Sequence, residues 1–508
     1  MSNMETTPVI VGDRLSIEDL VRVSWDRAPV RLGEQGHQAI ARARAHVAPF
    51  LEPDSPPAYG INTGFGALAE VRIGHDDLTE LQHRLIRSHA VGVGTHLGRA
   101  ETRGMMLMRA HVLALGYSGV RLEVVEKLIE MLNAGVHPRI PSKGSVGASG
   151  DLAPLAHLAL VIIGEGEAEY MDEVLSGAAA LERAGLAPLR LEAKEGLSLI
   201  NGTQGMLAIG ALALTRAERL AETADVTGAM SLEALKGSMG PFHEAIVEAR
   251  PHAGALASAA HLRALLAESE IAESHADCNE VQDAYSLRCM PQVHGAARDA
   301  LGFVRGVLEV EMNSATDNPL VLPDGRIQSG GNFHGQPVAA ALDFATIAVT
   351  DLASIAERRL AQLVDPSLNR GLPPFLAIQS GLNSGFMMAQ VTAAALVSEC
   401  KTLSHPKSVD SIPTSADRED HVSMGMMSAR HFDVAVGHLG HVLAIEAVVA
   451  REGIRQRGLE AGAGAERASN LLATVIPPVT EDRAFHKDFE AARGLVLSGA
   501  LLAAADER

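Results

Sequence analysis

Aromatic side chains are scarce in this chain. Phe, Trp and Tyr make up 3% of 508 residues, with a single Trp. Strands favour aromatic and β-branched residues, so this shortage, beside a hydrophobic content of 47% rich in Ala and Leu, argues for closely packed helices. Cysteine is scarcer still. Cys278, Cys289 and Cys400 are too few and too scattered for a disulfide framework or a zinc site, so no metal is expected and a reduced, cytoplasmic setting fits. Positive charge is in deficit, 43 Lys and Arg against 62 Asp and Glu, a net of −19 that argues against nucleic acid or an anionic membrane as the main partner. Residues 1–13 lack a basic stretch followed by an apolar core, so no secretory signal is expected. No apolar run is expected to reach the roughly 18 residues of a spanning helix; 152–163 is too short and carries His157. There is no tandem repeat and no low-complexity linker.

What is present reads as helices interrupted by polar, glycine-rich patches. The length calls for two or more core units. Val9-Ile10-Val11 suggests a short strand. Ile17, Leu20 and Val21 then share one helical face, with Ser16 placed to cap it and Asp19 three residues on. A breaker spans 53–57. Helices are expected over 77–90, 102–115 and 122–133. Residues 165–195 read as an irregular, acidic surface excursion without chemistry. From Met206 the pattern is one of long helices, including 337–364 and 432–454. A domain boundary is expected near 203, giving an N-terminal domain over 1–203 and a long-helix bundle over 204–508.

The most informative patch is Gly144-Ser145-Val146-Gly147-Ala148-Ser149-Gly150-Asp151-Leu152-Ala153-Pro154-Leu155. One reading is a tight turn before a buried helix, with Asp151 as its cap and Pro154 in the first turn. A phosphate cradle at a helix N-terminus is a second, but neither the Gly-x-Gly-x-x-Gly nor the Walker pattern is present. The third is chemical. The Gly150 amide nitrogen attacks the Ala148 carbonyl carbon, one water is lost on ring closure, and a second loss makes Ser149 a dehydroalanine. Glycine suits the third place because its amide is unhindered and its backbone tolerates unusual dihedrals.

Other patches carry residues that a simple bundle does not need. Tyr59-Gly60-Ile61-Asn62-Thr63-Gly64-Phe65-Gly66 is a loop, read blandly as a turn with a packed ring. His89 ends a helix, where a dipole contact would explain it. Asn201 could cap the helix that follows it. In 282–289, Tyr285 and Arg288 would share a helical face, and an arginine fork suits a carboxylate. Thr316-Asp317-Asn318-Pro319 is a turn, and Phe333 presents a ring on an irregular segment. The run 417–420 reads blandly as solvated charge.

Taken together, from about residue 55 to 450 and in this order, these patches resemble the histidine and aromatic amino-acid ammonia-lyase family. The resemblance implies a mainly α, fumarase/aspartase-like multihelical fold with a long central helical bundle. It also implies a 4-methylidene-imidazol-5-one group formed autocatalytically from Ala148, Ser149 and Gly150, with no external cofactor. By the same resemblance Tyr59 is the catalytic base, His89 lies at the substrate side chain, and Arg288 holds the substrate carboxylate. Asn201, Gln282, Tyr285 and Phe333 support the group and the pocket. The sites are expected to form from three chains of a homotetramer, acting on a small amino acid. Within the family, Glu419-Asp420-His421-Val422-Ser423 resembles the histidine enzymes, because a carboxylate at 419 can accept an imidazole N–H that a phenyl ring lacks. The expected reaction is loss of ammonia from histidine to give trans-urocanate. The alternatives are a tyrosine or phenylalanine lyase, or an aminomutase with the same group. Lys407 and Arg418 depart from the family pattern, and Arg418 could pair with Glu419.

Overall fold

The computed structural model describes residues 7–52, 55–277 and 280–507. Pro53 of the expected breaker, Cys278 and residues 1–6 lie outside the described residues. Strands are short and peripheral to the helices in number and length: β1 (Val9–Val11) runs parallel to β2 (Val30–Leu32), and β3 (Val93–His96) antiparallel to β5 (Pro141–Lys143). A three-stranded sheet has the order β4 (His137–Pro138), β6 (Glu167–Tyr170), β7 (Glu173–Ser176), and β8 (Leu320–Val321) pairs with β9 (Ile327–Gln328).

The first part of the chain is built on α1 (Ile17–Ser24), α2 (Glu34–Val47), α3 (Leu78–His89), α4 (Arg99–Ala114), α5 (Leu122–Ala134), α6 (Leu152–Ile162), α7 (Gly177–Arg183) and α8 (Glu195–Ile200). The expected start signals operate. Ser16 accepts from the Asp19 amide while the Asp19 carboxylate accepts from the Ser16 amide, a capping box that satisfies two orphan donors. Ile17 and Leu20 are buried below it. Helix α5 stops at Gly135, whose φ of +79° is the left-handed conformation that ends helices.

Two expectations need correction. Residues 165–195 are not an irregular excursion: β6, β7 and α7 occupy them, and the segment ends on the fully buried Lys194 and Glu195. Alternation is weak in so short a hairpin, which hid it. Apolar helices of spanning length do occur. Gln336–Val364 and Gly425–Arg457 are long and apolar enough to cross a membrane by length and composition, but 72% of each apolar window is buried, as core helices require.

Contacts divide the chain into two units. The first holds the residues up to Leu212 with Arg305–Asp343 and Pro406–Arg430; the second holds Ala213–Val304, Phe344–His405 and the chain from His431. The division falls inside α9 (Gln204–Ala234) and inside helices Met290–Met312, Gln336–Val364 and Gly425–Arg457. In the second unit these long helices approach closely: a Cβ on Gly453 would lie 2.7 Å from that of Ala234. The buried Arg359 and Glu446 pair at 2.5 Å, Ser231 Oγ donates to Glu446 at 2.8 Å, and Arg359 reaches His294 Nε2 at 3.2 Å. These two buried charges thus have their partners within the helix core.

Candidate active site

The site lies in the first unit, around the loop that precedes α6. Gly150 adopts φ +72°, and a Cβ there would sit 2.0 Å from the Gly202 carbonyl oxygen, so only glycine fits. Gly202 also ties the loop down from the other side, its amide donating to Ser149 O at 3.2 Å and its carbonyl accepting from Asp151 N at 2.7 Å. Asp151 stands before α6 but does not cap it with its side chain, contrary to the sequence reading. Its carboxylate accepts instead from Ser145 Oγ (2.9 Å) and from the Met206 amide in the first turn of α9 (2.8 Å). Burial pushes the Asp151 pKa up to about 6, against those hydrogen bonds.

Backbone donors at two further helix starts meet the same loop. Gly335 N, just before Gln336–Val364, donates to Gly147 O at 3.2 Å. Met424 N, just before Gly425–Arg457, donates to Val146 O at 2.8 Å, and Ser423 Oγ also reaches Gly147 O at 2.8 Å. With α6 and α9, four helix N-termini therefore adjoin residues 146–151. Their N–H groups and dipoles make a positive environment for any charge that develops there.

Beside the loop are two adjoining cavity lobes of about 320 Å³ and 300 Å³, both lined by Tyr59, Gly66, Ser149, Asn318 and Glu419. The first lobe adds His89 and Asn201; the second adds Ala148, Phe333, Arg418 and His421. The Tyr59 hydroxyl oxygen accepts from the Gly66 amide at 3.2 Å, closing its glycine-rich loop on itself. His89 Nδ1 lies 2.8 Å from Leu85 O, an acceptor, so Nδ1 carries the proton and Nε2 is left as an acceptor. Burial holds the His89 pKa below its usual value, and the Glu419 charge opposes that only in part.

Glu419 is placed by a reversed turn. Thr414 and Glu419 exchange backbone hydrogen bonds at 3.0 and 3.3 Å, while Ser415, Ala416 and Asp417 all take left-handed φ between +51° and +61°. Its Oε2 accepts from Thr414 Oγ1 at 2.6 Å and its Oε1 from Ser149 Oγ at 3.2 Å. No ion pair joins Arg418 to Glu419 among the described residues, so the neutralisation that the adjacent charge suggested is absent from this arrangement.

Asn201 does not cap α9. Its Nδ2 donates to Asp317 Oδ1 (3.1 Å) and Asn318 O (3.2 Å). Asp317 also accepts from Lys194 Nζ at 2.8 Å and Ser198 Oγ at 2.9 Å, all in the interior, and Arg109 donates to Asn201 O at 3.0 Å. Gln282, Tyr285 and Arg288 belong to the second unit and line neither lobe. Tyr285 is 70% exposed, with the Arg288 guanidinium 4.5 Å over its ring, so the shared helical face is realised.

A family model of aromatic amino acid lyases matches residues 15–475. The chain belongs to this aromatic amino acid lyase family. A histidine ammonia-lyase of Sorangium cellulosum is 56% identical, covering 98% of this chain and 99% of that protein. Among solved structures, histidine ammonia-lyase from Trypanosoma cruzi matches with a TM-score of 0.90 and 42% identity, over 98% of this chain and 95% of that one. Tyrosine aminomutase from Streptomyces globisporus matches with a TM-score of 0.91 and 37% identity, over 98% of each. As a member of the aromatic amino acid lyase family the chain is an enzyme, and it has the multihelical, fumarase/aspartase-like fold that the resemblance implied.

Several residues of this candidate site escaped the sequence reading. Thr414, Lys194 and Arg109 act on the site through Glu419 or Asn201 and carry no motif of their own. A lysine in an acidic, alanine-rich stretch offers no sign that it will be buried 123 residues away from its partner.

Proposed function

We propose that this protein eliminates ammonia from L-histidine to give trans-urocanate, as a histidine ammonia-lyase. The observation that carries the reading is the cavity in which Tyr59, His89, Ser149 and Glu419 meet, with Glu419 Oε1 3.2 Å from Ser149 Oγ, the hydroxyl that would leave as the prosthetic group forms. Relatives named histidine ammonia-lyase, 50–56% identical over nearly the whole chain, support the same choice.

Residues 148–150 fit a methylidene-imidazolone. The turn leaves Gly150 without room for a Cβ, Ala148 is buried, and helix N-termini adjoin the loop. Such a group, once formed, supplies an electrophile that takes the substrate amine and makes it a better leaving group. The rest falls to side chains. Tyr59, its oxygen oriented by the Gly66 amide, removes the β-proton. Glu419, anchored by Thr414, accepts an imidazole N–H, and the bare Nε2 of His89 offers a second acceptor on that side. Asn201, held by Asp317, and Phe333 complete the wall. Arg288 binds the substrate carboxylate, with Tyr285 and Gln282 beside it. Since these three line neither lobe, they are contributed in our reading by a neighbouring copy, within a homotetramer whose sites are shared between chains.

A substrate panel on the purified protein tests the reading. Histidine should yield urocanate, with little product from phenylalanine or tyrosine. Cinnamate or coumarate as the main product, or a β-amino acid, would overturn it.

A further inference from the structure

A second cavity, of about 380 Å³, lies in the first unit among residues of the sequence's early helices and shares no residue with the lyase site. On a chain with a net charge of −19 it is notable for its cations: Arg27, Arg99 and Arg103 all line it. Their partners differ. Arg99 is paired with Glu169 and with Asp172 (2.5 Å). Arg103 is 3% exposed, yet donates only to neutral acceptors: Val23 O (2.8 Å), Leu132 O (3.0 Å) and His137 Nε2 (3.2 Å). Arg27, in a left-handed conformation (φ +58°) on the exposed turn before β2, has no ion pair or hydrogen bond among the described residues.

The charge is therefore unbalanced. Burial and the neighbouring Arg27 and Arg99 push the Arg103 pKa down to about 10, and no carboxylate opposes them. Burial and the same three guanidinium groups push His137 down to about 3, so it is neutral and accepts from Arg103. A buried guanidinium without an anion is costly, and planar guanidinium forks match phosphoryl oxygens two at a time. The carboxylate of Asp172 is the lining anion, and it sits on an exposed turn where Met171 and Asp172 both have positive φ. The space also exceeds what a bare inorganic ion needs, and Pro29 and Leu132 give it apolar wall.

We infer that this cavity is an anion site that takes a small phosphate-bearing molecule, its phosphoryl group meeting Arg27, Arg99 and Arg103 and displacing Asp172 from Arg99. Inorganic pyrophosphate serves as the probe, titrated calorimetrically into the full-length protein, with sodium chloride of matched ionic strength as the control. Saturable binding beyond the salt control is expected. Arg27→Glu, at an exposed position, should weaken it by roughly tenfold or more, the worth of a charge-assisted contact. Asp172→Asn removes the competing carboxylate and should tighten binding. The opposed directions separate the site from general unfolding, and circular dichroism checks each variant. If pyrophosphate shows no binding beyond salt, if Arg27→Glu binds as the wild type does, or if Asp172→Asn weakens binding, the inference is wrong.

Discussion

Replacing Glu419 by Gln removes one charge and almost no volume, and so isolates the feature on which the choice of substrate rests. The carboxylate is already oriented: Thr414 Oγ1 holds Oε2 at 2.6 Å, and the backbone pairing of Thr414 with Glu419 fixes the turn. Glutamine can keep a carbonyl oxygen in that place, so the turn and the cavity should survive. What is lost is the difference between a charged and a neutral acceptor for the imidazole N–H. Hydrogen bonds to charged groups contribute about 1.5–3 kcal/mol and neutral ones about 1 kcal/mol. The net loss of roughly 0.5–2 kcal/mol corresponds to a fall of about 2- to 30-fold in kcat/KM for histidine. Any residual activity on phenylalanine should fall less, since a phenyl ring makes no such bond. Steady-state rates on both substrates, read by product absorbance, check this, and an intact-mass measurement checks that residues 148–150 still lose two waters. Unchanged kcat/KM for histidine would refute the role of Glu419, and with it the argument that the carboxylate selects the substrate.

Three further outcomes are expected. Ser149→Ala should fold, lack the two-water mass deficit and lose nearly all activity; full activity would end the prosthetic-group reading. Tyr59→Phe keeps the ring but not the oxygen that Gly66 orients, and should lower kcat by at least the roughly 10²-fold typical of a lost general base; a near-normal rate in stopped assays would move the base elsewhere. The last concerns pH. His111 is fully buried, accepts from the Gly12 amide at 3.2 Å, and burial lowers its pKa to about 4. A depressed folded pKa means that the unfolded chain binds the proton more readily. Its contribution is therefore complete above pH about 6.5 and is lost as pH falls toward 4. The gap in Tm between the wild type and His111→Gln should shrink over that interval; a gap independent of pH would show that His111 does not titrate on unfolding.

Much of the fold was legible because helices announce themselves locally. The capping box at Ser16 and the long apolar periodicity of 337–364 are satisfied by neighbours three or four residues away, so a linear reading finds them. The candidate site was legible to the extent that its chemistry needs an unusual string: Ala148-Ser149-Gly150 in a glycine-rich loop, a tyrosine among glycines, a carboxylate at 419. The hairpin of 167–176 was missed because two short strands stabilise each other through pairing and leave little pattern in either alone.

By itself the order of residues determined a helical chain, and it offered a glycine-rich loop and a set of polar groups as candidates for the site. Tertiary structure decided which of them meet. It took Asp151 from the helix it precedes and gave it to the first turn of α9, and it took Asn201 from the same helix and gave it to Asp317. It buried Lys194 against Asp317 and left Arg418 unpaired with its neighbour Glu419. The physical reason is common to all of these. A polar group removed from water must find a partner, and the nearest partner in a folded interior is set by packing between elements far apart in the chain, which no local pattern encodes.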